Sequence, residues 1–335
     1  MADEAPDPGP PKRLVRSKAP TDPSHGHPPD ERPIKEHMDY GIVILDKPSG
    51  PSSHQVAAWA RNAVGSKKAG HAGTLDPKVT GMLVIGLDAA TRALDLVRLA
   101  GKVYITEMVI HRDVDKKRLV QTLEGFVGDV LQIPPKRSAV KRRLRTRKVY
   151  TLDLLEHKDR RALLRVHSEA GTYIRNLCHD VGLAMGTGAH MGDLRRTGLG
   201  PFVEEDLVTM HELRDAAEWF KEDGDEKELR RVVRPMEHLL EGVPSVTVRD
   251  SAVDALCHGA PLAVAGVLEV DEAVMKGRHL AVYTGKGEAV GYGHAVMTAE
   301  EMVAEPQGIA VELSRVFMRE DTYPRAWKMG PGRDP

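Results

Sequence analysis

The chain changes texture at Gly242-Val243-Pro244, and no other feature constrains its fold as much. Upstream, β-prone runs alternate with stretches of helical spacing. Downstream, short β-prone pieces at 246–248, 262–264, 279–283, 289–292 and 310–317 follow one another, most of them separated by glycines. Short strands punctuated by turn residues build a small barrel or sandwich. A mixed α+β domain followed by a small β-domain is therefore expected. At 335 residues the chain is long enough for about two domains and for a sizeable core that needs no disulfide or metal staples.

Residues 1–38 hold nine of the 22 prolines and almost no apolar periodicity, the composition of a disordered tail. The expected plan is a disordered tail over 1–27, a first domain over 28–242, a second over 243–327 and a tail over 328–335, with 28–38 available as an arm against the second domain. No apolar run reaches 18 residues, so a membrane span is not expected. The first twenty residues lack the apolar stretch of a secretory signal, and the expected location is cytoplasmic. Cys178 and Cys257 lie far apart and make neither a disulfide framework nor a CxxC zinc or redox pair. Gly291-Tyr292-Gly293 lacks the third glycine of a dinucleotide fingerprint, and His25-Gly26-His27 lies in the expected tail. No cofactor and no metal are expected.

Within the first domain, Ile42-Val43-Ile44-Leu45 reads as a strand ended by the turn residues Asp46-Lys47-Pro48-Ser49-Gly50. Ser53 is the expected N-cap of a helix whose Val56, Trp59, Ala60 and Ala63 share one face. Helical spacing returns at 90–99 and 173–185, and Thr209-Met210-His211-Glu212 is a capping box opening a helix to about residue 220. Cys178 falls on the apolar stripe of the 173–185 helix and reads as core. Strands are expected at 82–87, 103–111, 149–155 and 162–166.

Charge is balanced in total, 48 Lys and Arg against 49 Asp and Glu, but segregated along the chain. Residues 134–148 carry eight Lys or Arg and no acid, whereas 204–241 carry 13 acids against six bases. Lys141, Arg142, Arg143, Arg145 and Arg147 could form a solvated strand edge, but so many charges without an acid favour contacts with phosphate. Aromatics are only 4% of the chain, so backbone and shape recognition should outweigh base stacking.

The most informative segment is Gly70-His71-Ala72-Gly73-Thr74-Leu75-Asp76-Pro77-Lys78-Val79-Thr80-Gly81. Its glycines admit backbone angles closed to other residues, and Pro77 holds Asp76 extended. Such a loop can present an acid to a ligand at close range, yet one His and one Asp on a turn do not identify a reaction.

These residues resemble the signature loop of the pseudouridine synthases that include the bacterial T-loop tRNA enzyme and the archaeal and eukaryotic dyskerin family. Five further segments agree in order and spacing: Asp46-Lys47-Pro48-Ser49-Gly50-Pro51-Ser52-Ser53, with Ser52 where many members have Thr; Gly101-Lys102-Val103-Tyr104; Pro134-Pro135 with Ser138-Ala139-Val140-Lys141; Gly171-Thr172-Tyr173-Ile174-Arg175; and Leu194-Arg195-Arg196-Thr197-Gly198-Leu199-Gly200-Pro201-Phe202. Asp250-Ser251-Ala252-Val253, His258-Gly259-Ala260, Gly308-Ile309-Ala310-Val311 and Tyr323-Pro324 are similar to an RNA-binding PUA domain of the archaeal dyskerin type. The resemblance spans about residues 30–327.

The resemblance implies a pseudouridine synthase catalytic domain with a mixed sheet and flanking helices, followed by a PUA pseudo-barrel. It assigns Asp76 as nucleophile or base on the ribose, Tyr104 as the residue against the target base and a candidate for removing the C5 proton, and Arg175 as the partner of Asp76. It places Lys47 and His71 beside the RNA, with Lys47 mainly supporting the fold of its motif, and gives His258, Gly259 and Ala260 to RNA binding. The implied setting is an H/ACA guide-RNA particle acting on rRNA and on the tRNA T-loop, with a small scaffold protein, a small β-barrel protein and a kink-turn-binding ribosomal-protein relative held through RNA. A stand-alone tRNA enzyme and a non-catalytic RNA scaffold are the alternatives; the intact Asp76, Tyr104 and Arg175 set speaks against the second.

Overall fold

A computed structural model describes residues 12–135 and 141–325. The chain divides into two compact units, Ile42–Arg234 and, separately, Met1–Gly41 together with Pro235–Pro335. The N-terminal segment supplies β1 (Arg13–Val15) and α1 (Ile34–Asp39) to the second unit. The expected tail over 328–335, the first residues of the expected N-terminal tail and the motif residues Ser138-Ala139-Val140 lie outside the described residues.

In the larger unit the chain runs through β2 (Gly41–Lys47), α2 (Ser53–Ala63), β3 (Ala69–His71), β4 (Thr80–Leu87), α3 (Leu94–Arg98), β5 (Lys102–Ile110), α4 (Lys116–Glu124), β6 (Gly128–Gln132), β7 (Arg145–Lys158), β8 (Arg161–Ser168), α5 (Ile174–Ala184), β9 (Ala189–Leu199), α6 (Met210–Asp223) and α7 (Lys227–Val232). Its strands pair in the order β2-β4-β9-β5-β8-β7-β6, with β3 on β4. The neighbours are antiparallel except β4 and β9, which run parallel. β2 and β4 are buried along almost their whole length, which is why both read as continuous apolar runs. β5 alternates instead, and its inward face joins α4, α5, β7 and β8 in one core holding Met108, Leu119, Val166, Leu177 and Cys178.

Three local expectations shift. Ser52, not Ser53, caps α2, through a capping box with Gln55. The expected helix over 90–99 becomes a 3-10 turn, Asp88–Arg92, followed by the five-residue α3. β7 starts at Arg145 rather than 149, because its first residues lie on the sheet's outer strands, where polar side chains carry no apolar alternation to read.

The two-residue strand β10 (Arg234–Pro235) ends the first sheet beside β2, and the second unit then runs through β11 (Ser245–Val248), α8 (Asp250–Cys257), β12 (Leu262–Ala263), β13 (Val267–Asp271), β14 (His279–Thr284), β15 (Ala289–Ala295), α9 (Ala299–Ala304) and β16 (Ile309–Val316). Its sheet has the order β1-β13-β11-β14-β15-β16-β12 around a core that includes Val246, Val253, Leu280, Val290 and Val311. Residues 12–27 are not a disordered tail: β1 pairs antiparallel with β13, from Arg13 opposite Asp271 to Val15 opposite Glu269. The Arg16 guanidinium donates to the carbonyls of Met302, Val303 and Glu305 at 2.7–2.9 Å. The Lys286 ammonium donates to Asp22 O at 2.7 Å. Docking made largely through backbone groups leaves little apolar periodicity behind, so composition alone reads as disorder. Farther along, Arg32 is buried and makes a bidentate pair with Glu237 at 2.7 and 3.0 Å.

Candidate active site

The residues 70–81 leave β3 and return as β4, and Asp76 sits at the apex of this turn. Four groups fix its backbone. The Leu75 N–H donates to Ser53 Oγ at 2.9 Å, and that hydroxyl donates back to Leu75 O at 3.1 Å. The Gly50 N–H donates to Pro77 O, and the Val79 N–H closes a turn on Asp76 O. The Lys47 ammonium, fully buried, donates to Pro48 O, Pro77 O and Val79 O at 2.8–2.9 Å. Lys47 therefore has no surface to offer RNA, which corrects its expected place among the RNA contacts; it works as a clamp on carbonyls. Burial lowers the pKa of its ammonium, with the nearby Asp76 charge opposing the shift.

Arg175 lies in the first turn of α5, and its guanidinium pairs with the Asp76 carboxylate. The entry to α5 is held from β6: the Tyr173 N–H donates to Gln132 Oε1 at 2.9 Å, and Gln132 Nε2 donates to Tyr173 O at 3.2 Å. The side chains of Asp76 and Arg175 are 57% and 51% exposed. The acid stands on an open surface.

Behind it the site is closed by charge. Gly81, Arg196 and Tyr104 form one row across β4, β9 and β5. Gly81 has φ +94°, and a Cβ there would overlap the Arg196 carbonyl, so only glycine lets β4 approach β9. Arg196 is 1% exposed; Nε donates to Met82 O at 2.8 Å, Nη2 donates to Gly73 O at 3.1 Å, and Tyr104 is its direct cross-strand partner on β5. Lys102, also buried, donates to Arg98 O and Ala100 O at 3.1 and 2.8 Å. Burial, reinforced by the Arg196 and Arg98 charges, pulls its pKa down to about 8. Tyr104 is mostly buried, as the core partner of this row.

His71 ends β3 with its ring edge-on to His54 at 4.8 Å, and burial, then His54 and Arg196, lowers its pKa. In the basic run, Lys141, Arg142 and Arg143 precede β7 and are exposed. Arg142 donates to Pro134 O at 3.1 Å, Arg145 to Lys141 O at 3.3 Å and Arg147 to Glu169 at 3.4 Å, so part of the Arg147 charge is answered within the protein. His258 caps α8 in the second unit, next to Gly259 and Ala260, and its ring meets Asp254 O at 2.8 Å. The structure thus gathers Asp76, Arg175, Tyr104 and His71 around one loop and leaves His258–Ala260 in the other unit. Arg196, Lys102, Ser53 and Gln132 are not singled out in the sequence as site residues. Arg196 and Lys102 stand inside motifs that were read, but the cross-strand register that gives them their positions is not visible in a linear sequence.

Comparison with known proteins agrees with this arrangement. Four family models match in order: the DKCLD domain over residues 11–57, the TruB family pseudouridylate synthase N-terminal domain over 61–174, the tRNA pseudouridylate synthase B C-terminal domain over 175–241 and the PUA domain over 244–317. A Methanopyrus kandleri protein described as "probable tRNA pseudouridine synthase B" is 51% identical over 314 residues, 94% of this chain and 93% of the relative. A Thermococcus kodakarensis protein of the same description is 50% identical over 93% of this chain and 92% of its own length. Among solved structures, a chain of a Cbf5-Nop10-Gar1 complex superposes with TM-score 0.86 and 48% identity, covering 94% of this chain and 96% of that one. A chain of an H/ACA RNP bound to a substrate RNA containing 2′-deoxyuridine gives TM-score 0.87 and 45% identity, covering 95% and 98%. Fold and matches together define an RNA pseudouridine synthase, an enzyme that isomerises uridine in place. The chain belongs to the TruB family of pseudouridylate synthases and carries the DKCLD and PUA segments in addition.

Proposed function

We propose that this enzyme is the catalytic subunit of an H/ACA guide-RNA particle, converting chosen uridines of rRNA and the T-loop uridine of tRNA. The observation that carries this reading is similarity over nearly the whole chain to chains from H/ACA particles, the DKCLD segment included. The partners are a guide RNA, a small scaffold protein and a small β-barrel protein of the kind present in the similar complexes, and a kink-turn-binding ribosomal-protein relative held through RNA; the setting is the cytoplasm. The target base leaves its stack to reach the open face of Asp76. There Asp76 acts on the ribose as nucleophile or base, oriented by Arg175, while Tyr104 packs against the base and His71 supports the extruded nucleotide. The exposed basic residues before β7 hold phosphate, and the His258–Ala260 corner contacts the guide.

The test is conversion of a synthetic rRNA fragment with and without its matching guide. Guide-dependent conversion that is abolished by Asp76→Asn, with RNA binding near wild type, is the expected result. Conversion that survives in Asp76→Asn within tenfold of wild type would remove the residue from the mechanism. A second reading, a stand-alone tRNA enzyme, is favoured by the description of the archaeal relatives. It would be selected by efficient T-loop conversion with no guide effect on any substrate.

A further inference from the structure

Arg196 is the largest side chain among the fully buried ones, and among the described residues no carboxylate answers its charge. Isolating a guanidinium in this way is unfavourable unless the charge itself is used, because a neutral amide could serve carbonyl acceptors with a smaller loss of hydration. Two of its nitrogens hold Met82 O and Gly73 O. Gly73 has φ +85°, and a Cβ there would lie 3.5 Å from Arg196 Nη1 and 3.7 Å from Lys102 Cε. The cation is therefore pressed against the underside of the loop that carries Asp76, three residues before it. Its charge also reaches Lys102 and His71, both of which it disfavours as cations, and directly opposite it on β5 stands Tyr104.

We propose that Arg196 is a positioning residue that holds the Tyr104 oxygen and pairs with its negative charge, so that Tyr104 can take the C5 proton of the rejoined base. This rests on the role given to Tyr104 above. Once uracil is attached to the ribose through C5, that carbon still carries a hydrogen. The C5–H bond breaks, its electron pair restores the C5–C6 double bond, and charge passes to N1, which water protonates. The C5 proton goes to the Tyr104 phenolate and returns to the hydroxide so formed, leaving the enzyme unchanged. A fixed cation beside the phenolate stabilises the charge before transfer and needs no reorganisation during it.

The test is a double-mutant cycle of Arg196→Met and Tyr104→Phe, read as single-turnover conversion of RNA carrying hydrogen or deuterium at C5 of the target. Arg196→Met alone should slow conversion by about 10²–10³-fold, the usual effect of deleting one preorganised charge partner. It should also raise the deuterium effect above wild type and leave RNA affinity unchanged. In the Tyr104→Phe background the same change should add little. Losses that add in the cycle, or a slowed reaction with an unchanged deuterium effect, would show a purely structural role and overturn the inference. If Arg196→Met fails to fold, Arg196→Lys replaces it in the cycle with the same expected signs, since one ammonium cannot reach all three partners. Wild-type conversion by Arg196→Met beside an inactive Asp76→Asn overturns this inference and leaves the function standing; conversion that survives in Asp76→Asn overturns the function instead.

Discussion

At the residue scale the site is built on buried cations that serve carbonyl oxygens. Lys47 shows what such a group contributes. In Lys47→Met, Pro48 O and Val79 O lose their lysine donor, while Pro77 O keeps the Gly50 N–H. Two stranded acceptors outweigh the relief of removing a buried charge, so we expect a loss of about 2–4 kcal/mol in urea unfolding and a larger loss in conversion as the Asp76 loop loosens. A change below about 0.5 kcal/mol with normal conversion would show that the clamp is dispensable. Lys102 makes a prediction in pH. Its folded pKa, about 8, lies below the ordinary lysine value of 10.5. Between those values the unfolded chain binds the extra proton, so this residue's contribution makes the fold more stable as pH rises, and its full penalty is present below about 8. Lys102→Met removes that dependence. The stability of the variant minus that of wild type should therefore fall as pH climbs from 8 to 10.5; a flat difference would mean that the buried ammonium keeps its solution behaviour.

At the scale of elements, what could be read from the sequence depended on whether the information was local. The continuous apolar runs of β2 and β4 and the Thr209 capping box of α6 are local patterns, and each appears where its residues place it. The pairing of adjacent arginines is not local. On β9, Arg195 turns to Asp46 and Glu204 while Arg196 enters the core, and only the alternation of a strand whose register is known separates the two. The basic run shows the same limit. A strand from 143 onward would put Arg143, Arg145 and Arg147 on one face, but β7 begins at Arg145, and Glu169 meets Arg147. Neutralising Arg142, Arg143, Arg145 and Arg147 together should therefore flatten the slope of log affinity for RNA against log salt by about two units rather than the roughly three that four contacts would give, at ~0.7–0.9 per phosphate contact. Filter binding across a salt series reads this directly. Weaker binding with an unchanged slope would point to damaged folding, and no change at all would return these residues to solvent.

At the scale of the whole molecule, the break at Gly242 located a β-rich unit but not the strand at its edge, because that N-terminal strand is hundreds of residues away in sequence. Residues 12–27 act there as a strap with several attachments besides the Lys286 bond to Asp22. β1 covers the edge of β13, Arg16 binds carbonyls at the end of α9, and the His27 N–H reaches Glu288, a buried acid that also accepts from Thr284 and Tyr323. Removing residues 1–27 strips all of these at once. An uncovered β13 edge exposes a row of unpaired backbone groups, which invites association between chains. At about 0.5–1.5 kcal/mol for each hydrogen bond lost, the second unit should weaken by several kcal/mol, and at ~4–8 °C per kcal/mol for a domain of this size its melting should shift down by about 10 °C or more. Hydrogen exchange followed by mass spectrometry localises the effect: amides of Val267–Asp271 should exchange much faster in the truncated chain, while those of β2 and β4 keep their protection. Equal protection of β13 with and without the strap would show that β11 alone secures the strand and that the N-terminal segment adds nothing to the stability of the unit.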